Sequence, residues 1–276
     1  MLEFTGNGRE RYDARLKRAF VATATEQKLK KAVDECEEVY EVEDIVLANN
    51  LCDYCDFKAL NIKVVSMLVK TITHLLYQFP RARSKVCYLG SKAGYLDMMY
   101  KMRATDRGVL AKLGIGDMMT DESIISVAAS GIEAIEGIDY NGKDTNILAQ
   151  VFDMCGLIDA VILDEADFSG FGYMRFCNEL KENVNHGYHP PYCSGTDYVI
   201  YHEFGHTLDR LCGITDSAEF ARYYSGLTAD RIRTGVSEYA ATNAQECFAE
   251  AFAEYMCSPA PREIALYLSN LLKRKY

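Results

Sequence analysis

The chain has 276 residues, 49% of them hydrophobic, which is enough for one large domain or two small ones with a substantial core. Its formal net charge of −10 excludes a general nucleic-acid binder, because such a protein presents a basic face. The first residues lack the apolar run of a signal peptide, and no segment has the apolar length of a membrane span. We therefore expect no membrane partner, and either a cytoplasmic protein or a delivered or phage-associated one that lacks a signal peptide.

The ten cysteines are mostly scattered singly, which is typical of reduced thiols rather than of a disulfide scaffold. Cys52 and Cys55 form one C-x-x-C pair. A structural zinc knuckle needs a second pair of cysteines or histidines at suitable spacing, and none stands out. We interpret both residues as ordinary thiols.

The first 80 residues are predicted to be mainly helical. Strong helix formers over 24–46 predict one helix, and the apolar period over 56–79 predicts another that Pro80 stops. A domain boundary is predicted between residues 80 and 81. The alternative is that 1–80 is an integral part of a single domain.

Strands are predicted next, at "KVCYLG" (85–90), "SIISVAAS" (123–130) and "DAVILDEADF" (159–168). Helices follow over 173–184, from Thr196 or Asp197 to Gly213, and over 216–232, 243–257 and 261–275. Helices, then a few strands, then helices again favour an α+β fold over alternating βαβ units.

Two of the five histidines lie four residues apart in "HEFGH", with an acid directly after the first. On a helix, His202 and His206 share one face and can bind one ion. Glu203 is rotated by one residue and can reach a water on that ion. This H-E-x-x-H pattern is typical of zinc held by two nitrogen ligands beside a general base. The alternative is an amphipathic helix that carries two histidines by chance.

A zinc site needs a third protein ligand. A metzincin is excluded, because Asp209 and Cys212 stand where its motif has glycine and histidine. In "NAQECFAEAFAEY", Glu246, Glu250 and Glu254 lie one helical turn apart among small and apolar neighbours. Such a stripe predicts a bound cation or a histidine partner, because unpaired buried charge is costly. A stripe that faces water is the alternative, and spacing alone does not choose between Glu246 and Glu250.

The motif "HEFGHTLD" followed by "EYAATNAQECFAEAF" resembles the catalytic domain of anthrax lethal factor and its relatives, which include the clostridial Pro-Pro endopeptidases. The resemblance covers about residues 198–255. It implies a gluzincin metallopeptidase with a zincin-like fold over residues 81–276, in which a short mixed sheet packs against the H-E-x-x-H helix and a following Glu-bearing helix. It also implies that His202, His206 and Glu246 bind Zn²⁺.

The resemblance assigns the remaining roles as well. Glu203 is implied as the general base toward a zinc-activated water, and Tyr239 as a hydrogen-bond donor to the oxyanion of the transition state. Asp209 and Glu250 are implied as acids that form hydrogen bonds to the zinc-binding side chains and do not bind the zinc themselves. The expected activity is zinc-dependent hydrolysis of peptide bonds in a protein or peptide substrate.

Two alternatives stay open. One is a regulatory peptidase that cuts a repressor, like the ImmA/IrrE group, although the longer spacing to the glutamate fits that group less well. The other is a non-catalytic zinc-binding protein with a phage-structural or interaction role. The intact Glu203 argues against the second alternative, because a purely structural site needs no base and usually closes its fourth position.

Overall fold

The structure is a computed structural model that describes residues 2–17, 19–21, 24–136, 149–153 and 159–276. The chain divides into two compact units, Met1–Ser169 and Gly170–Tyr276. Helices predominate in both, and the described strands form one small sheet in the first unit. The predicted α+β class is therefore confirmed.

In the first unit, the four described strands form a sheet in the order β1-β2-β4-β3, and α5 packs against β1, β2 and β4. Neighbours β1, β2 and β4 are parallel, and β3 is antiparallel to β4 at the edge. The elements are α1 (Gly8–Leu16), α2 (Glu26–Asp34), α3 (Val39–Ala48), β1 (Tyr54–Asp56), α4 (Ile62–Gln78), β2 (Val86–Ser91), α5 (Lys92–Arg103), α6 (Arg107–Leu113), α7 (Asp121–Glu136), β3 (Ala149–Asp153), β4 (Asp159–Leu163) and α8 (Glu165–Phe168).

Two of the three predicted strands are confirmed. The segment "KVCYLG" covers β2 except for Ser91, and β2 is buried along its whole length, as expected of a parallel strand covered on both faces. The segment "DAVILDEADF" begins with β4 and then turns into α8. Sequence analysis missed β1 and β3.

The predicted strand "SIISVAAS" is wrong, because this segment lies within α7. The buried apolar residues of α7 follow the helical period, and they include Ile124, Val127, Ala128, Ile132 and Ile135. Ile125 is 39% exposed. This apolar residue on the outer face lengthens the apolar run, so the run resembles a buried strand.

The predicted helix over 24–46 is two helices, α2 and α3. The break lies before Glu38, where the Glu41 carboxylate accepts a hydrogen bond from the Glu38 N–H at 3.0 Å. This capping box satisfies backbone donors at the start of α3, so a new helix can begin there.

The predicted boundary between residues 80 and 81 falls inside the first unit. There β1, which precedes it, pairs with β2, which follows it. The division into compact units instead lies between Ser169 and Gly170.

The second unit is a set of helices: α9 (Gly170–Asn185), α10 (Asp197–Cys212), α11 (Ala218–Ser225), α12 (Ala229–Gly235), α13 (Ala244–Cys257) and α14 (Glu263–Lys275), with a 3-10 turn at Tyr239–Ala241. Helix α10 has Thr196 as its N-cap residue and ends at Gly213 with a left-handed φ of 58°, so both of its predicted ends are confirmed. Helix α13 packs against both α10 and α14.

Among the described residues, no helix combines the length and the apolar character needed to cross a bilayer.

Candidate metal centre

Helices α10 and α13 approach each other closely at Gly205. A Cβ atom added there would lie 3.0 Å from the Ala249 Cα atom, so the two backbones come close because this position has no side chain. The approach brings His202 and His206 of α10 opposite Glu246 of α13.

The three side chains converge on one point. His202 Nε2 lies 3.3 Å from His206 Nε2, and Glu246 Oε2 lies 3.1 Å from the first and 3.4 Å from the second. Tetrahedral zinc with bonds of about 2.0–2.2 Å separates its ligand atoms by roughly 3.3–3.6 Å. Two of the three observed separations fall in this range, and the third, 3.1 Å, lies just below it, so the triangle is close to three corners of such a site.

The chemistry of Glu246 also fits a cation. Its Oε2 atom is buried and, among the described residues, has no partner in hydrogen-bond geometry, although both imidazoles lie within ionic distance. Burial by itself raises the pKa of this carboxyl group, but the imidazoles of His202 and His206 outweigh that effect and hold the pKa well below its usual range. The carboxylate is therefore ionised and available as a ligand. Together the three residues form a group that can hold a metal ion.

Glu250 lies one turn further along α13 and has a different environment. Its side chain is fully buried, and Oε1 lies 2.7 Å from His202 Nδ1. Tyr198 also donates to Oε1, and the Ser237 hydroxyl donates to Oε2 at 2.7 Å. His189 Nδ1 lies 3.4 Å from Oε2 and 2.7 Å from the Tyr198 hydroxyl. Glu250 thus joins four side chains behind the metal-binding group.

This network orients His202. Burial alone raises the pKa of Glu250, but hydrogen bonds from His189 and His202 lower it to about 2. An ionised carboxylate only accepts hydrogen bonds, so His202 Nδ1 must carry a proton and donate. Nε2 is then the ring nitrogen that faces His206 and Glu246, which is the orientation that a metal ligand needs.

Without a metal ion, His202 is protonated at neutral pH. Burial lowers its pKa, but the neighbouring carboxylates of Glu246 and Glu250 outweigh burial and raise the pKa to about 10. The two carboxylates therefore stabilise an imidazolium, and a metal ion bound by Nε2 would have to replace its proton.

Glu203 and Tyr239 lie at the same centre. Glu203 is 9% exposed, and the Tyr239 ring stacks on His202 at 5.7 Å between centroids. Burial raises the pKa of Tyr239, and the nearby carboxylates of Glu246 and Glu203 raise it further. The phenol therefore keeps its proton at neutral pH and can donate a hydrogen bond.

Two other acids contact different partners. The Asp209 carboxylate accepts hydrogen bonds from the Thr215 N–H at 2.7 Å and from the Thr215 hydroxyl at 2.6 Å. Within the described residues, Asp209 therefore binds the segment that follows α10 and not a zinc-binding histidine. Glu254, the last acid of the stripe, is paired with Arg262 at 2.8 Å. The stripe thus contains a candidate ligand, a supporting acid and an ion-paired acid.

Sequence analysis missed three members of the site: His189, Tyr198 and Ser237. One signal was present for Tyr198, which precedes His202 by four residues and so shares its helix face. His189 lies in the loop between α9 and α10, where the sequence does not show that it is only 9% exposed. Nothing local in the sequence distinguishes Ser237.

Comparisons with protein-family models, with curated proteins and with solved structures found no match to this chain.

Proposed function

We propose that the protein is a zinc-dependent endopeptidase of the gluzincin type. The observation that carries the proposal is the convergence of His202 Nε2, His206 Nε2 and Glu246 Oε2 within 3.1–3.4 Å of one another, at separations typical of tetrahedral zinc. The zincin-like character of the fold is part of the proposal.

The proposed roles follow from the surroundings of each side chain. Zinc bound by the three residues would act as a Lewis acid toward water and toward the scissile carbonyl. Glu203 takes a proton from the water while the water oxygen attacks the carbonyl carbon. It then passes this proton to the amine nitrogen as the C–N bond breaks. Tyr239, whose phenol stays protonated, donates a hydrogen bond to the oxyanion. Glu250 orients His202.

The acid next to the ligands favours an enzyme over a non-catalytic zinc protein. A structural zinc site is usually closed by four protein ligands. Among the described His, Cys, Asp and Glu side chains, one group can hold a metal ion, and it has three members: His202, His206 and Glu246. Glu203 lies beside this group on α10. Three ligands and an adjacent carboxylate are typical of a hydrolytic site with a position left for water.

The test compares the wild-type protein with Glu203→Gln after both are loaded with zinc. We expect both proteins to bind one zinc ion, because no ligand is removed. The wild type should cleave members of a diverse peptide library, and the variant should lose at least a hundredfold in kcat/KM, since general bases contribute about 10²–10⁴-fold. Zinc content by elemental analysis and cleavage by mass spectrometry are the two measurements.

Two outcomes would contradict the proposal. One zinc ion per chain without cleavage of any library peptide would favour the non-catalytic alternative. Full activity in Glu203→Gln would leave a hydrolase but remove Glu203 from the role of base.

A further inference from the structure

Two tyrosine rings, Tyr239 and Tyr188, continue an aromatic stack that begins at His202 of the candidate metal centre. Tyr239 stacks on His202 at 5.7 Å between centroids with an interplanar angle of 30°. Tyr188 stacks on Tyr239 at 5.6 Å and 28°. The Tyr188 ring therefore lies one ring spacing beyond a side chain that contacts the centre.

Backbone hydrogen bonds hold Tyr188 in this place. The Tyr239 N–H donates to the Tyr188 carbonyl at 3.1 Å, and the Glu238 N–H donates to the Gly187 carbonyl at 2.9 Å. The Tyr188 N–H in turn donates to Asn183 at the end of α9, at 2.8 Å. The backbone of Tyr188 is thus held on both sides, and its ring packs against Tyr239 and His189. Little ordering would be needed when a ligand packs against this ring.

Burial does not account for the position of Tyr188. It is 42% exposed, whereas His189, the next residue, is 9% exposed and belongs to the Glu250 network. A large aromatic ring that is fixed in place and still reaches solvent beside a reactive centre is suited to contact with a ligand.

We propose that Tyr188 forms a substrate subsite for an aromatic or large apolar side chain of the peptide, within two residues of the scissile bond. The inference rests on the proposed peptidase function and names the substrate class. An extended peptide advances about 3.3–3.6 Å per residue. Tyr188 lies two ring spacings, 5.7 Å and 5.6 Å, from His202. One or two extended residues together with the length of a large side chain cover that distance from a carbonyl at the metal centre. Aromatic rings gain from stacking, whereas a carboxylate or a glycine gains little from an exposed phenol ring.

A binding experiment tests the subsite without requiring turnover. Phenylalanine hydroxamate and glycine hydroxamate carry the same metal-chelating group and differ in one benzyl side chain. We expect the zinc-loaded wild type to bind the first at least tenfold more tightly by titration calorimetry, about the gain of one aromatic contact. Tyr188→Ala should lose this preference, and Tyr188→Phe should keep it.

Controls separate a lost contact from a damaged fold. Tyr40→Ala makes the same change at a tyrosine that is 60% exposed in the first unit, and it should leave the preference unchanged. Zinc content and the circular dichroism spectrum should be equal in all four proteins. If Tyr188→Ala proves unstable, Tyr188→Leu, which keeps an apolar side chain without a ring, should reduce the preference partly.

The outcomes distinguish the two proposals. If both hydroxamates bind and Tyr188→Ala keeps the wild-type preference, the subsite is wrong and the peptidase proposal stands. If neither hydroxamate binds the zinc-loaded wild type, the proposal of an open zinc site is wrong, and the proposal of the subsite is wrong with it. A preference for lysine over phenylalanine hydroxamate that depends on Tyr188 would overturn the proposed ligand class.

Discussion

Two glutamates one helical turn apart differ sharply in their surroundings. The Glu246 side chain is 17% exposed, and its Oε2 atom has no hydrogen-bond partner among the described residues. The Glu250 side chain is fully buried and contacts four side chains. The first environment fits a metal ligand and the second a structural support, in agreement with what the family resemblance implies.

Glu246→Ala and Glu250→Ala should therefore fail in different ways. We expect Glu246→Ala to purify with little zinc and with a nearly unchanged unfolding temperature in the presence of chelator. Glu250→Ala should keep most of its zinc when zinc is plentiful, with affinity lowered by about 10–100-fold. It should also unfold more easily, because each buried donor left without an acceptor costs about 1–3 kcal/mol. Elemental analysis and thermal unfolding test this, and the reverse pattern would exchange the two roles.

Metal uptake should release a proton. The pKa of His202 in the metal-free protein is about 10, so Nε2 is protonated at neutral pH and must lose its proton before it can bind a metal. Raising the pH from about 6 to 8 should thus tighten the apparent zinc affinity, by about tenfold per pH unit for each proton displaced. Calorimetry in buffers of different ionisation enthalpy measures the number released. An affinity independent of pH would contradict an imidazolium at His202.

At the scale of elements, the site depends on how α10 packs against α13, and the end of α10 is held by separate contacts. The close contact at Gly205 sets the distance between α10 and α13. Asp209 fastens the chain that leaves α10 through two hydrogen bonds to Thr215. This contact gives Asp209 a structural role at a helix end.

Asp209→Ala tests that structural role against the role implied by the resemblance. We expect the variant to lose about 1.5–3 kcal/mol of stability, the usual range for hydrogen bonds to a charged group. Its zinc content and zinc affinity should stay close to those of the wild type. Thr215→Val, which removes one of the two hydrogen bonds from the other side, should lower stability by a smaller amount. A tenfold loss of zinc affinity in Asp209→Ala without loss of stability would restore the predicted support of a ligand.

For the whole molecule, the important feature is that the candidate centre belongs to one compact unit. Every residue placed at it, from His189 to Glu250, lies within Gly170–Tyr276. The sheet lies in the other unit, Met1–Ser169. A metal that binds only the folded state stabilises the part of the chain that holds it.

Removing zinc from the full-length protein should therefore loosen the two units unequally. We expect hydrogen exchange to show faster exchange in α10 and α13 after chelation, with β2 and β4 largely unchanged. Glu246→Ala provides the control, since chelator should have little further effect on its exchange. Equal loss of protection in both units would show that the metal stabilises the chain as one cooperative block.

Local features of the sequence determined the parts of the site that depend on one helix. The spacing of His202 and His206 places them on one face because the α-helix has a fixed period, and Thr196 and Gly213 mark the ends of that helix. The apolar run at 85–90 likewise predicted the strand observed at 86–91. Such signals come from neighbours in the chain.

Only the tertiary structure decided which side chains meet. Spacing left Glu246 and Glu250 equivalent, and the contact between Gly205 and Ala249 determines which of them faces the two imidazoles. His189 and Ser237 reach Glu250 from other segments, which no local period indicates. The segment "SIISVAAS" became a helix because its buried face, not its apolar content, matches the helical period. The helical period determines the direction in which each side chain points from one helix axis. The distances between elements depend instead on the packing of residues far apart in the chain.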